Sequence, residues 1–242
     1  MPVVFLIGAS GGIGSVLARR LVAGGYAVVL AGRRAEPLRE LAKGLGSTFI
    51  PVDACSFEAL DNALNEALQV HGRLDGIVNC AGSLLLKPAH QTTQVEWRET
   101  VTANLDTAFA TVRAGARAML KSGGSIVLMS SAAGRIGLPN HEAIAAAKAG
   151  VVGLALSAAA TYAARGVRVN VVAPGLTRTP LTADLLRSPA AAAASLSMHP
   201  LGRLGEPEDV ASAIQWLLAP AQSWITGQVL GVDGGLSTLR RR

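Results

Sequence analysis

Val3-Val4-Phe5-Leu6-Ile7-Gly8-Ala9-Ser10-Gly11-Gly12-Ile13-Gly14 decides the fold. The apolar run Val3–Ile7 does not alternate with polar residues, as expected for a strand covered on both faces. The glycines that follow open a helix. Glycine lets a backbone turn tightly and approach a pyrophosphate, and a helix N-terminus offers free N–H groups and a favourable dipole. The pattern Gly-x-x-x-Gly-x-Gly alone would also suit an ordinary strand-to-helix turn. Placed directly after the first strand it points to a dinucleotide site, with Gly8, Ser10, Gly12, Ile13 and Gly14 as candidate contacts.

Outward from this stretch, short apolar runs recur at Ala27–Leu30, Thr48–Ile50, Gly76–Val78, Ser125–Met129, Val167–Val172 and Gln228–Leu230. Longer stretches such as Phe57–Val70 and Trp97–Leu120 separate them and suit helices. Strand-helix alternation with right-handed crossovers predicts an α/β fold with a doubly wound parallel sheet of Rossmann type. No linker, repeat or charge block interrupts it, so residues 1–242 are expected to form one domain. The Ala-, Leu- and Ser-rich segment 179–200 lies beyond the carboxyl end of a strand, where it either covers a ligand or forms a plain surface helix pair.

The end of the second strand bears on which dinucleotide fits. NAD recognition usually uses an Asp or Glu there to bind the ribose 2′-hydroxyl. This chain has Ala31-Gly32-Arg33-Arg34. No carboxylate repels a 2′-phosphate, and two guanidiniums are available to pair with it. NADP(H) is therefore expected over NAD(H), with Ser10 as a further hydroxyl. Arg34 reads equally well as a solvated charge starting the next helix.

Composition narrows the class. Half of the 242 residues are apolar and 16% are charged, which fits a buried globule and not a disordered chain. Aromatics are only 4%, so packing must rely on small and branched aliphatic side chains. The net charge of +6 includes the tail Arg240-Arg241-Arg242 and is otherwise scattered without aromatic interleaving, so a nucleic-acid partner is not expected. Two cysteines, Cys55 and Cys80, make neither a disulfide framework nor a metal site and suit a reducing compartment. With no signal peptide and no apolar run of about 20 residues, the expectation is a cytoplasmic chain without a membrane partner.

Further landmarks occur in order. Asp53 follows the third strand, and Asn79-Cys80-Ala81-Gly82 forms a turn after the fourth. Asn104 lies within a helical stretch, and Ser131 and Lys148 follow. Pro174-Gly175-Leu176-Thr177-Arg178-Thr179 comes after the sixth strand, and Thr226-Gly227-Gln228 and Val232-Asp233-Gly234-Gly235 close the chain. From Val3 to about Leu236 the chain resembles a short-chain dehydrogenase/reductase. That resemblance implies an oxidoreductase in which Asp53, Asn79, Ala81 and Gly82 help hold the nucleotide. It also implies that Pro174, Gly175, Thr177 and Thr179 belong to the loop on the nicotinamide carboxamide. Asn104, Ser131 and Lys148 match the family's asparagine, serine and lysine of the active site, the lysine also binding the nicotinamide ribose. Family members commonly form homodimers or homotetramers through long helices, here Trp97–Leu120 and Glu142–Arg165. Ala114, Gly115, Ala155 and Ala159 would allow close helix approach there, or equally pack on the sheet.

The departures matter too. Ile7 stands where a threonine is common, and Cys80 replaces a second asparagine. In His141-Glu142-Ala143-Ile144-Ala145-Ala146-Ala147-Lys148, the position four before the lysine is a proton-handling tyrosine in the family and isoleucine here. An aliphatic chain can neither give nor take a proton. Tyr26 and Tyr162 are no obvious substitutes. His141 would share a face with Ile144 and Lys148 if the helix already includes it, and histidine is a competent acid near neutral pH. A protonated imine or a conjugated enone would need no strong acid, the developing enolate being held by Ser131 and water. The remaining reading is a silent NADP-binding relative acting as sensor, scaffold or partner subunit. Retention of Asn104, Ser131 and Lys148 favours an enzyme, more readily a reductase, and Ile144 with the Leu- and Ala-rich segment after Thr179 suits a small, mostly apolar substrate.

Overall fold

In β1 (Val3–Ile7) side chains alternate across the sheet: Val3, Phe5 and Ile7 enter one core, Val4 and Leu6 the other. All five are buried, which is why the segment reads as an unbroken apolar run. The computed structural model describes residues 1–240, so Arg241 and Arg242 of the basic tail lie outside the described residues. Strands β2 (Ala27–Gly32), β3 (Thr48–Pro51), β4 (Gly76–Asn79), β5 (Gly124–Met129), β6 (Val167–Pro174) and β7 (Val229–Val232) complete a sheet of seven strands. Its order is β3-β2-β1-β4-β5-β6-β7 and every pairing is parallel. The strands lie where the apolar runs put them.

Helices α1 (Gly12–Ala23), α2 (Ala35–Leu45) and α9 (Pro207–Leu218) bury Leu17, Leu21, Leu38 and Ile214 against one face. Helices α3 (Phe57–His71), α5 (Thr107–Met119) and α6 (Glu142–Tyr162) bury Leu60, Leu64, Val112 and Val151 against the other. The chain leaves β1 toward β2 on one side and returns to β4 on the other. The carboxyl ends of β1 and β4 therefore border the crevice where such sheets bind ligands.

Small residues set the helix-to-sheet distance. A Cβ at Gly115 would stand 2.7 Å from Ile77 Cγ2, and Ala114, Ala155 and Ala159 are buried in the same core. All four pack on the sheet, so of the two uses open to them they serve the fold. The outer surfaces of these helices carry Phe109 and Leu156 instead, both about half exposed.

The stretch Trp97–Leu120 is not one regular helix. A capping box of Thr93 and Glu96 starts α4 (Gln94–Val101), and a π turn over Thr102–Asp106 then precedes α5. Within Glu142–Arg165 an 18-residue window has a mean hydropathy of 1.7, and the segment is long and apolar enough to cross a membrane. This corrects the expectation that no segment reaches that length. Here the segment is the crossover helix between β5 and β6, with Ala147, Lys148, Val151 and Ala155 turned inward. The segment 179–200 forms a short turn at Pro180–Thr182, then α7 (Ala183–Leu186) and α8 (Pro189–Met198).

Helix α9 packs against α1, which begins at the glycine-rich loop, and its own start is held by charge. Asp209 accepts from Glu206 N at 2.8 Å and from both terminal nitrogens of Arg203 at 2.6 and 2.8 Å. The Arg203 guanidinium and the Glu206 amide hold the Asp209 carboxyl down at about 2. A carboxylate whose folded value is depressed stabilises above its unfolded value of 3.8 and loses that contribution as pH falls toward 2. Asp209→Asn is expected to cost about 1 kcal/mol at pH 7. The gap to wild type should narrow at pH 3, as read by urea unfolding at the two pH values.

Candidate active site

The loop after β1 is built by close approach of backbone to backbone. Gly8 has φ +75°, and a Cβ there would lie 2.7 Å from Ala81 N. Its amide and that of Ala9 both donate to Ala31 O, at 2.9 and 3.1 Å, tying the loop to β2. A Cβ at Gly14 would stand 2.2 Å from Gly8 O, so α1 can start only here with glycine. No side chain caps α1 and no acidic residue occupies its first turn. Its first N–H groups are left to whatever occupies the cleft beside them.

That cleft has a volume of about 960 Å³. Gly8, Ser10, Gly12, Ile13 and Gly14 form its floor. Arg33 and Arg34 stand at one end, both exposed and neither paired with a carboxylate among the described residues. Asp53 lies beside them and accepts from Cys55 N at 3.0 Å. Ala81 and Gly82 form the wall that adjoins the glycine loop at Gly8. Thr179 and Leu181 close it from above, with Thr179 Cβ 2.8 Å from where a Cβ of Gly12 would be.

Behind the Ala81–Gly82 wall the polar side chains are engaged. Asn79 is buried, donates to Thr111 Oγ1 at 3.1 Å and accepts from Ala81 N at 2.8 Å, so it shapes the turn from beneath rather than lining the cleft. Asn104 lies in the π turn and is also buried; its Nδ2 donates to Thr100 O at 2.8 Å and to Ser83 Oγ at 3.0 Å. A π turn departs from the regular ladder and such turns concentrate at functional sites. Here it presents the Asn104 carboxamide to Gly82, where a Cβ would be 2.8 Å from Asn104 Oδ1 and 3.5 Å from Lys148 Nζ.

Lys148 is 8% exposed and its Nζ donates to Met129 O at 3.0 Å. Burial pulls its ammonium down to about 8, the Cys80 thiol opposing weakly. Burial likewise pushes the Cys80 thiol up to about 12. Ile144, one turn earlier on α6, is 3% exposed. Ser131 begins the turn after β5, with its Oγ accepting from Ala133 N at 3.1 Å.

His141 stands apart from this group. Helix α6 begins at Glu142, so His141 is outside it as the residue before the first turn, and its Nδ1 lies 2.7 Å from Pro139 O. The shared helix face that would have made it an acid for Ile144's neighbourhood does not form. Of the loop after β6, only Thr179 reaches the cleft; Pro174 ends the strand, Gly175 N donates to Val232 O at 3.1 Å, and Thr177 is buried with its hydroxyl on Gly175 O at 3.2 Å.

Several positioning residues were not read from the sequence. His199 is 1% exposed and its Nε2 accepts from Leu176 N at 3.2 Å, while Nδ1 lies 2.7 Å from Ser195 O. It joins α8 to the loop after β6, and a Cβ on Gly175 would strike it at 2.6 Å. Ser130 donates to Lys148 O at 2.8 Å and clamps β5 to α6. Leu84, Leu85 and Glu99 line the far part of the cleft. None of these carries a spacing signal, because each depends on a partner distant in the chain.

A family model described as enoyl-(acyl carrier protein) reductase matches residues 8–237. Cis-4-hydroxycyclohexanecarboxylate dehydrogenase of Sinomonas cyclohexanicum is 38% identical, over 98% of this chain and 97% of that protein. A 3-oxoacyl-acyl-carrier-protein reductase of Thermotoga maritima is 35% identical, over 97% of each. A short-chain type dehydrogenase/reductase from Mycobacterium ulcerans superposes with a TM-score of 0.95 at 34% identity, covering 99% of this chain and 90% of that one. ElxO with NADP bound superposes with a TM-score of 0.92 at 29% identity, covering 98% and 99%. On this agreement along its length, the chain belongs to the short-chain dehydrogenase/reductase family of oxidoreductases.

Proposed function

We propose that this chain is an NADP(H)-dependent reductase of a small, mostly apolar carbonyl, enone or imine substrate, working without a tyrosine acid. The observation that carries the reading is one continuous cleft from Arg33 at the end of β2 to Gly82, with Asn104 and Lys148 directly behind Gly82. The dinucleotide fits the residues present. Its pyrophosphate would take the bare floor at Gly8–Gly14, where a Cβ at Gly8 or Gly14 would collide with backbone. Arg33, unpaired and at the cleft end, would take a ribose 2′-phosphate, with Arg34 and Ser10 beside it. Asp53 and the Asn79-shaped Ala81–Gly82 turn would hold the adenosine half. Lys148 would bind the far ribose, with the loop Pro174–Thr179 over the nicotinamide. When bound, the cofactor supplies the hydride.

The chain's own part is then to orient the substrate and manage a proton. Ile144 lacks the hydroxyl that the family uses; it is itself buried and does not line the cleft, so the apolar lining that suits a substrate of little polarity comes from its neighbours. Leu84, Leu85 and Leu181 supply that lining, and segment 179–200 would cover it. Homodimers or homotetramers belong to the same reading, the outward Trp97, Phe109 and Leu156 offering apolar surface on α4–α6. So does a cytoplasmic location, in keeping with two free cysteines. A silent NADP-binding relative is the second reading, and one observation favours it: the Ser131 hydroxyl is turned to its own loop.

Fluorescence titration with NADPH and NADH tests the cofactor. NADPH should bind more tightly, and Arg33→Ala should weaken NADPH about ten- to a hundredfold while changing NADH little. Equal affinity for both in wild type would remove the 2′-phosphate assignment. For the chemistry, Ile144→Tyr should raise reduction of simple ketones by about 10²–10⁴-fold. A folded, NADPH-binding Ile144→Tyr protein that still reduces nothing would favour the silent relative.

A further inference from the structure

We infer that His199 is a positioning residue that fastens the cover of the cleft in its neutral form and frees it on taking up a proton. Its bearing on turnover rests on the oxidoreductase reading of the same cleft; the fastening itself does not.

The cover is segment 179–200. Its near end reaches the cleft through Thr179 and Leu181, and its far end is α8. His199 follows the last turn of α8 and is 1% exposed. Its Nδ1 lies 2.7 Å from Ser195 O, at the end of its own helix, and its Nε2 lies 3.2 Å from Leu176 N, just before the segment starts. One imidazole therefore ties the far end of the cover to its root. Gly175 lets the ring come this close, since a Cβ there would stand 2.6 Å from Nε2.

The two partners fix the state of the ring. A backbone amide only donates, so Nε2 must offer a lone pair to Leu176. A backbone carbonyl only accepts, so Nδ1 must carry the hydrogen that meets Ser195 O. The fastened ring is the neutral Nδ1–H tautomer. An imidazolium would set one N–H against another at Leu176.

The groups around the ring decide what a proton would cost. Helix α8 has no ionisable side chain from Pro189 to Met198, but the carbonyls at its C-terminus favour a cation. From the turn after β7, Gly234 lies against the ring, and Asp233 flanks Gly175, where a Cβ would be 3.1 Å from Asp233 Cβ. The Asp233 carboxylate is buried and accepts from Gly235 N and Ser237 N, each at 3.0 Å, and from Ser237 Oγ. The loop after β6 carries Arg178, which Glu206 holds at 3.3 Å, and beyond His199 comes Arg203, held by Asp209. A helix end and a carboxylate thus favour the proton, and the Leu176 amide opposes it. When a proton from solvent adds to Nε2, the Ser195 bond is kept and the Leu176 bond is lost. Helix α8 keeps the charged ring while the root of the cover comes away. Thr179 and Leu181 then lose an anchor, so substrate is held less firmly as pH falls.

Hydrogen exchange read by mass spectrometry tests the fastening without cofactor or turnover. Imidazole changes charge between about pH 5 and 8. After correction for intrinsic exchange, protection over residues 176–200 should be about tenfold lower at about pH 5.5 than at about pH 8, with α3 and β5 unchanged. His199→Gln takes no proton and should show one level of protection at both pH values. The chain has four histidines, His71, His90, His141 and His199, so isotope-labelled histidine gives few ring signals by NMR. The signal missing in His199→Gln should be an Nδ1–H ring at about pH 8. An Nε2–H ring overturns the inference, as does equal wild-type protection at the two pH values whatever the charge of the ring. Protection lost evenly along the whole chain is general acid unfolding and overturns it too. In turnover at saturating NADPH, the wild-type KM should rise at low pH while kcat holds, and His199→Gln should lack that rise. A KM flat with pH beside falling protection overturns the positioning role. Wild-type protein that binds no NADPH or reduces nothing removes the oxidoreductase reading, and with it the bearing of His199 on turnover, but not the fastening.

Discussion

The backbone of Gly8 lies against the backbone of Ala81, and the rest of the site depends on that contact. A single Cβ at Gly8 would come within 2.7 Å of Ala81 N and 2.8 Å of Cys80 C. Two strands adjacent in the sheet, β1 and β4, thus send their following turns toward each other before they diverge. The glycine loop can start α1 at the crevice only because β4 ends in a turn held from below by Asn79. Asn79 in turn needs Thr111 on α5, and α5 sits close to β4 because Gly115 lets Ile77 in. One steric permission at Gly8 is therefore supported by a chain of contacts through the sheet and its far-side helix.

This hierarchy explains what could be read from the sequence. The strands were legible because each is buried on both faces, which leaves an unbroken apolar signature in the chain. The glycine loop was legible because its steric demand falls on consecutive residues. The π turn was not: Thr102–Asp106 has ordinary helical composition, and only the fixed neighbours Gly82 and Ser83 give Asn104 a reason to depart from the ladder. His199 and Ser130 escaped for the same reason, since their partners Leu176 and Lys148 lie 23 and 18 residues away. His141 shows the converse. Its spacing suited a helix face, but the helix begins one residue later, and a boundary shift of that size moves a side chain out of the site.

The two ends of the cleft differ in how they treat charge. At the Arg33 end the guanidiniums are exposed, so their desolvation is small and a phosphate would meet them at little cost. At the Gly82 end the cation is buried and its one hydrogen-bond acceptor among the described residues is a carbonyl. The first arrangement suits binding a permanently charged group. The second leaves a charge whose burial is not offset by an opposite one among the described residues.

Lys148 is also a cost to the fold, and the sign of that cost bears on its role. Its folded value of about 8 lies below the ordinary 10.5. Between these values the unfolded chain holds the proton more firmly than the folded one, so stability rises with pH across that window. Below about 8 the lysine is charged in both states and the burial penalty is present in full. An apolar side chain of similar volume would avoid it, since buried charge is weak evidence for stability. No carboxylate among the described residues offsets the penalty, and Ile144, one turn earlier on the same helix, offers no polar group to share the charge. It nonetheless stands behind Gly82, beside an asparagine lifted out of the helical ladder toward the same point, so the fold carries this penalty next to a residue of the cleft that has no side chain to screen it.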